Sequence, residues 1–275
     1  MYNDDSFHID VKEILQAKAP DLARKIPGFV VDGLAKLICQ DDVNRFLEFN
    51  GDAKGVDFMN NAMKYFEVGL TVEGAENLPE AGQRSIFVSN HPLGGMDGIC
   101  LSAFLGNHYS QNIKYLVNDI LYFIEPLQTI FVPVNKHGAQ GREAVAMLHE
   151  ALASDAQIIT FPAGLCSRKE HGKISDTPWK KMFISKAIEY ERDIVPVYFD
   201  GKNSNFFYNL ALWRKRLKIK FNIEMLFLPR EFFGAKGRTF RAVFGKPIPY
   251  RTFDSAKSPQ QWTNYVRNKV YNTHN

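Results

Sequence analysis

Apolar residues recur at helical spacing through residues 9 to about 68, in runs such as "FVVDGLAKLICQ" and "VNRFLEF". Pro20, Pro27 and Gly51 divide this region into short helical segments. From Ser85 the period shortens. "SIFVS", "NIKYLV", "TIFVPV", "AQIITF", "DIVPVYF" and "FRAVFG" are compact apolar runs of strand length. Between them "GREAVAMLHEALAS" and "WKKMFISKAIEYE" return to the helical period. Strands alternating with helices predict an α/β fold, its mixed and largely parallel sheet flanked by helices. "SPQQWTNYVRNKVY" predicts a last helix, with Ser258 as N-cap and Pro259 at the first helical position. The expected organisation is an N-terminal helical element over 1–70, an α/β domain over 71–257 and a C-terminal helix over 258–275.

No stretch offers a membrane span, since "YLVNDILYFIEPLQTIFVPV" is interrupted by Asn118, Asp119, Glu125 and Pro126. The acidic, polar start "MYNDDSFHID" does not read as a secretory signal. A net charge of +4 over 275 residues is too small to argue for nucleic acid. Cys39, Cys100 and Cys166 have no metal-type spacing, which fits a reducing compartment.

Candidate chemistry concentrates in "SIFVSNHPLGGMDG", residues 85–98. On a continuous helix His91 and Asp97, six apart, would not meet. Pro92 disfavours the helical region for His91, and Gly94 and Gly95 permit the chain to fold back. A strand, a tight turn and a helix start would then bring the carboxylate to an imidazole nitrogen. That pair suits a general base, whose tautomer the carboxylate fixes. The plain alternative is a turn histidine beside an Asp97 that only caps "GICLSAFLG". Nothing near His91 has metal-ligand spacing, so no metal is expected.

Two further stretches carry weaker signals. In "IITFPAGLCSRKEHGK", Gly164, Ser167 and Arg168 follow an apolar strand and could form an anion site. Cys166 in the same loop suggests a thiol nucleophile working with His91 or His171. In "FVPVNKHGAQGRE", Lys136 and Arg142 flank a strand-to-helix connection.

Taken in order, these stretches resemble the glycerolipid (lysophospholipid) acyltransferase family over roughly residues 70–250. Asn90, His91 and Asp97 match its first motif. "IFVPVNK" and "FPAGLCSR" stand in the places of its second and third, and "IVPVYFDG" around Pro196 in that of its fourth. The departures point to a subgroup. One more residue than usual separates His91 from Asp97. Ala163 replaces the third motif's glutamate, and Asn135-Lys136 stands where Asp-Arg is common. The form resembles a hemolysin-like subgroup, which includes acyltransferases of bacterial ornithine and glycine lipids.

The resemblance implies acyl transfer from acyl-CoA or acyl carrier protein to a lyso-lipid hydroxyl, with no bound cofactor. His91 would be the base and Asp97 its orienting carboxylate, with backbone amides around Gly94 to Gly98 facing the developing oxyanion. Asn90, Asn135, Lys136, Arg142, Gly164, Ser167 and Arg168 would hold the acceptor, a lyso-aminolipid or, alternatively, lysophosphatidic acid. A third reading is a non-catalytic lipid-binding protein on the same scaffold. Such an enzyme would sit peripherally on the cytoplasmic side of the inner membrane. Residues 205–221 supply a candidate interface with anionic lipid, through Phe206, Phe207, Trp213, Arg214, Lys215 and Arg216. The N-terminal helices, with Phe29 and Val30, are a second candidate.

Overall fold

The structure, a computed structural model, describes residues 8–18, 20–118, 121–134, 139–170 and 172–273. Five short helices open the chain: α1 (Val11–Lys18), α2 (Pro20–Lys25), α3 (Gly28–Leu37), α4 (Gln40–Asn50) and α5 (Gly55–Tyr65). Strands and helices then alternate through β1 (Gly69–Glu73), β2 (Ser85–Ser89), α6 (Met96–His108), β3 (Ile113–Asn118), β4 (Phe131–Val134), α7 (Ala139–Ala153) and β5 (Gln157–Thr160). A small hairpin, β6 (Arg168–Glu170) and β7 (Lys173–Ser175), precedes α8 (Met182–Glu189) and β8 (Asp193–Asp200). The chain ends with α9 (Asn205–Arg216), α10 (Leu228–Phe233), β9 (Thr239–Phe244) and α11 (Pro259–Asn272).

Seven strands form one sheet in the order β1-β9-β8-β2-β5-β3-β4. Every pairing is parallel except β8 with β9. The expected mixed, largely parallel sheet is therefore the one observed. Its central strand, β2, is buried along its whole length, as a strand covered on both faces must be. Alternate β2 side chains enter opposite cores. Phe87 joins Leu101, Leu105 and Val195 on one face, with Phe58, Met59 and Ala62 of α5. Ile86 and Val88 join Phe183, Ile184, Val266 and Val270 on the other. The N-terminal α5 packs on α6 within the first core, and the C-terminal α11 packs on β8.

The end signals read from sequence are present at α11. Ser258 Oγ accepts from the Gln261 N–H while the Gln261 side chain accepts from the Ser258 N–H, with Pro259 in the first turn. This capping box satisfies two helix-start donors. Two elements escape the sequence pattern. Strand β1 pairs at the sheet edge only with β9, and the β6–β7 hairpin is built from polar residues apart from Ile174. Because β2, β5 and β8 run parallel, the loops leaving them emerge at one end of the sheet. That end, outside the carboxyl ends of the strands, is where open α/β sheets place ligands.

Candidate active site

The turn after β2 is fixed before any side chain becomes reactive. Beyond Ser89, the Asn90 side chain continues the pairing with β8. Its Nδ2 donates to the Phe199 carbonyl at 2.9 Å and its Oδ1 accepts from the Phe199 N–H at 2.7 Å. Both ends of the amide are engaged, so Asn90 anchors the loop instead of facing an acceptor. His91 is then held at both backbone groups. Its N–H donates to the Asp176 carboxylate at 3.1 Å, and its carbonyl accepts from the Ser167 N–H at 2.7 Å.

Folding back through Pro92 and the glycines brings Asp97 onto the ring. His91 Nδ1 lies 2.9 Å from Asp97 Oδ2. Gly94 adopts φ +81°, and a Cβ there would lie 2.9 Å from Cys166 Cβ, so the turn demands glycine twice over. Asp97 sits in the first turn of α6 and is fully buried. Its Oδ2 also accepts from the Leu93 N–H at 3.0 Å. Its Oδ1 accepts from Gly95 and Gly98 at 3.1 and 3.0 Å. The His91–Asp97 pair and the helix start are therefore one arrangement. It also revises an expectation: the Gly95 and Gly98 amides face Asp97, which removes them as donors to an oxyanion.

Burial resists charge on His91, yet the adjacent Asp97 carboxylate, with help from Asp176 and against Arg168, lifts its pKa above the ordinary value. Burial likewise opposes ionisation of Asp97, and the imidazole together with the Leu93 and Gly98 amides overrides it, leaving that pKa below the usual range. With Nδ1–H donated to Asp97, Nε2 is the nitrogen left to accept a proton. Phe161, at the end of β5, lies against the imidazole with ring centroids 4.3 Å apart. It also borders an apolar groove of about 230 Å³, shared with Leu116, Val117, Val134 and Phe183, with Lys180 in its lining.

The remaining predicted residues separate. Ser167 comes to the site but is buried, its hydroxyl donating to Asp176 at 2.6 Å. The Gly164 N–H closes a turn on the Phe161 carbonyl. Arg142 is exposed on the first turn of α7. Asn135, Lys136 and His171 lie outside the described residues. Arg168 comes near His91 but is strongly held. Its Nη1 donates to the Cys166 carbonyl and Sγ at 2.7 and 3.0 Å, and its Nη2 to Glu224 at 3.1 Å. Cys166 is buried, and burial pushes its thiol up to about 11, with Arg168 pulling the other way. A buried thiol with a raised pKa is a poor nucleophile, which argues against the thiol-hydrolase reading.

Residues 205–221 also divide. Phe206, Trp213, Leu217 and Phe221 are exposed, Trp213 by 67%. Arg216 and Lys215 are exposed as well, Lys215 pairing with Glu170. Phe207 and Arg214 do not belong to that face, contrary to the sequence reading. Phe207 is fully buried beneath the Arg168 guanidinium, and Arg214 donates to Glu224 at 2.8 Å. Among the described residues no helix is long and apolar enough to cross a membrane.

Sequence reasoning missed two buried acids. Asp176 gathers His91, Ser167 and the Trp179 indole N–H. Glu224 joins Arg168 to Arg214. A lone acid inside the apolar run "NIEMLFL" was the available signal for Glu224; Asp176, in the polar "KISDTPW", offered none.

A family model described as Acyltransferase matches residues 13–275. A curated relative from Bacteroides thetaiotaomicron, named lyso-glycine lipid O-acyltransferase, is 50% identical over 98% of this chain and 99% of its own length. A relative of the same name from Phocaeicola vulgatus is 47% identical over 98% of this chain and 97% of its own. The solved structure of the 1-acyl-sn-glycerophosphate (LPA) acyltransferase PlsC from Thermotoga maritima matches 92% of this chain and 82% of its own, at 17% identity and a TM-score of 0.48.

Proposed function

This chain belongs to the acyltransferase family, and we propose that it moves a fatty acyl group from an acyl thioester to the hydroxyl of a lyso-glycine lipid. The two relatives that share about half its residues over nearly full length carry that activity in their names. The observation that carries the mechanism is the buried contact between His91 Nδ1 and Asp97 Oδ2 at 2.9 Å.

In this reading His91 Nε2 takes the proton of the acceptor hydroxyl as its oxygen attacks the thioester carbonyl carbon. Asp97 holds the ring in the required tautomer and stabilises the imidazolium that forms. Collapse of the tetrahedral intermediate breaks the C–S bond, and the departing thiolate recovers the proton from His91. Atoms and charge balance with no metal or bound cofactor involved. The donor is acyl-CoA or acyl carrier protein. The apolar groove beside Phe161 is a suitable place for an acyl chain, since it meets the residue that packs on the catalytic ring.

In this reading the acceptor headgroup meets Arg168, whose loop hydrogen-bonds the His91 carbonyl through the Ser167 N–H. The family resemblance assigns Arg142, Lys136 and Asn135 to acceptor binding as well. Exposed Phe206, Trp213, Leu217 and Phe221 beside Lys215, Arg216, Lys218 and Lys220 suit an anionic lipid surface. The direct test offers labelled acyl-CoA or acyl carrier protein to the purified protein with lyso-glycine lipid, lyso-ornithine lipid or lysophosphatidic acid. Transfer to the lyso-glycine lipid is expected, and transfer to none of them would defeat the reading.

A further inference from the structure

Four charged residues are buried among those described: Asp97, Asp176, Arg192 and Glu224. The first two serve His91. Arg192 is satisfied by backbone carbonyls of Leu152, Ala156 and Ser154. Glu224 is left over. Its carboxylate is fully buried, yet it touches Arg168, a cation whose charge acts on His91. A buried carboxylate is costly unless paired, and here it has two guanidinium partners. Oε1 accepts from Arg168 Nη2 at 3.1 Å and Oε2 from Arg214 Nε at 2.8 Å.

The consequence falls on Arg168. A free guanidinium offers a planar fork that grips phosphate or carboxylate through two parallel bonds. In Arg168 that fork is closed. Nη1 is used by Cys166, and Nη2 by Glu224 and Met225 Sδ, while the plane rests over Phe207. Only the Nε–H lacks a partner among the described residues. Two guanidiniums against one carboxylate leave a single net positive charge. A phosphate monoester, carrying roughly −1.5 to −2 at neutral pH, would meet a fixed cation with no open fork and a carboxylate behind it. A headgroup carboxylate asks for one charge and one or two donors.

We propose that Glu224 is a specificity-determining residue: by closing the Arg168 fork, it tunes the acceptor site for a singly charged carboxylate and against a phosphate monoester. This rests on the reading above that Arg168 faces the acceptor headgroup. It also gives physical meaning to a chain whose third motif departs from the family pattern at Ala163.

The test compares kcat/KM for lyso-glycine lipid and lysophosphatidic acid, in the same mixed micelles, for the intact protein and two variants. Glu224→Gln removes the charge that holds the fork. It is expected to raise the phosphate acceptor relative to the carboxylate acceptor by about tenfold, through KM, the worth of one charge-assisted hydrogen bond. Arg214→Gln keeps Glu224 on Arg168 and lowers the net charge. It is expected to weaken both acceptors, the phosphate more, and it preserves the test should Glu224→Gln fail to fold. An unchanged acceptor ratio in a folded variant overturns the proposal. Absence of transfer to lyso-glycine lipid by the unmutated protein would instead sink the functional reading, so the two failures are distinguishable.

Discussion

The Asp176 carboxylate accepts the backbone N–H of His91 at 3.1 Å, leaving the imidazole to Asp97. Two buried acids thus divide one histidine: Asp176 fixes where the residue stands, and Asp97 fixes how its ring is turned. Asp176→Asn keeps the shape but loses one acceptor and the negative charge. The expected result is a lower kcat with KM little changed, and a less stable fold by about 1–3 kcal/mol, the cost of an imperfectly satisfied buried group. Because Asp176 supports the charged imidazole, the acid limb of the rate profile should also move down. A purely structural role would leave that limb in place.

Asp97→Asn addresses the ring directly. An imidazole can act as a base only when neutral, and the His91 pKa is raised in the native protein. Activity should therefore fall as pH drops through a value above the ordinary one of about 6.5, and stay level above it. Without Asp97, burial is opposed only by the more weakly coupled Asp176, and the acid limb should shift to lower pH. The rate itself should drop about 10²- to 10⁴-fold, the usual worth of a positioned acid–base group. Rate profiles of both proteins over pH 5 to 9 check the sign.

Cys166→Ala is expected to retain transfer within a few-fold, since its thiol is buried and held protonated. Abolished activity in a folded variant would restore the nucleophile reading. The measurement is turnover alongside a thermal melt.

Gly94→Ala should lower stability and transfer together. It forces a side chain into φ +81° and against Cys166. The backbone strain alone costs about 1–3 kcal/mol. A melting temperature equal to that of the parent would mean the turn is less constrained than described.

Trp213→Ala and Leu217→Ala should weaken sedimentation with anionic vesicles, and added salt should weaken it further by screening the adjacent lysines and arginines. Phe207→Ala makes the contrast. Its ring is buried, so it should cost stability by about 3–5 kcal/mol, as large core aromatics do.

Much of this was legible in the chain because the governing physics is local. Central parallel strands must be apolar on both faces, so β2, β5 and β8 stand out as runs. Pro92, Gly94 and Gly95 announce a reversal by their backbone preferences, which made a contact between His91 and Asp97 thinkable. Partners that meet only through the fold were not legible. Asp176 is 85 positions from His91, and Glu224 is 56 from Arg168. Helix α9 carries aromatic residues on both faces, so only packing shows that Phe207 points inward and Phe206 outward. The half-exposed β1 had too little apolar character to declare itself.

The central claim is that the pair formed by His91 and Asp97 performs acyl transfer to a lipid hydroxyl. Its most direct test is the transfer rate of His91→Ala from labelled acyl-CoA or acyl carrier protein to lyso-glycine lipid, with circular dichroism and melting compared with the parent. The account predicts a folded protein whose rate is lower by about 10²-fold or more. A folded variant transferring at the parental rate would contradict it.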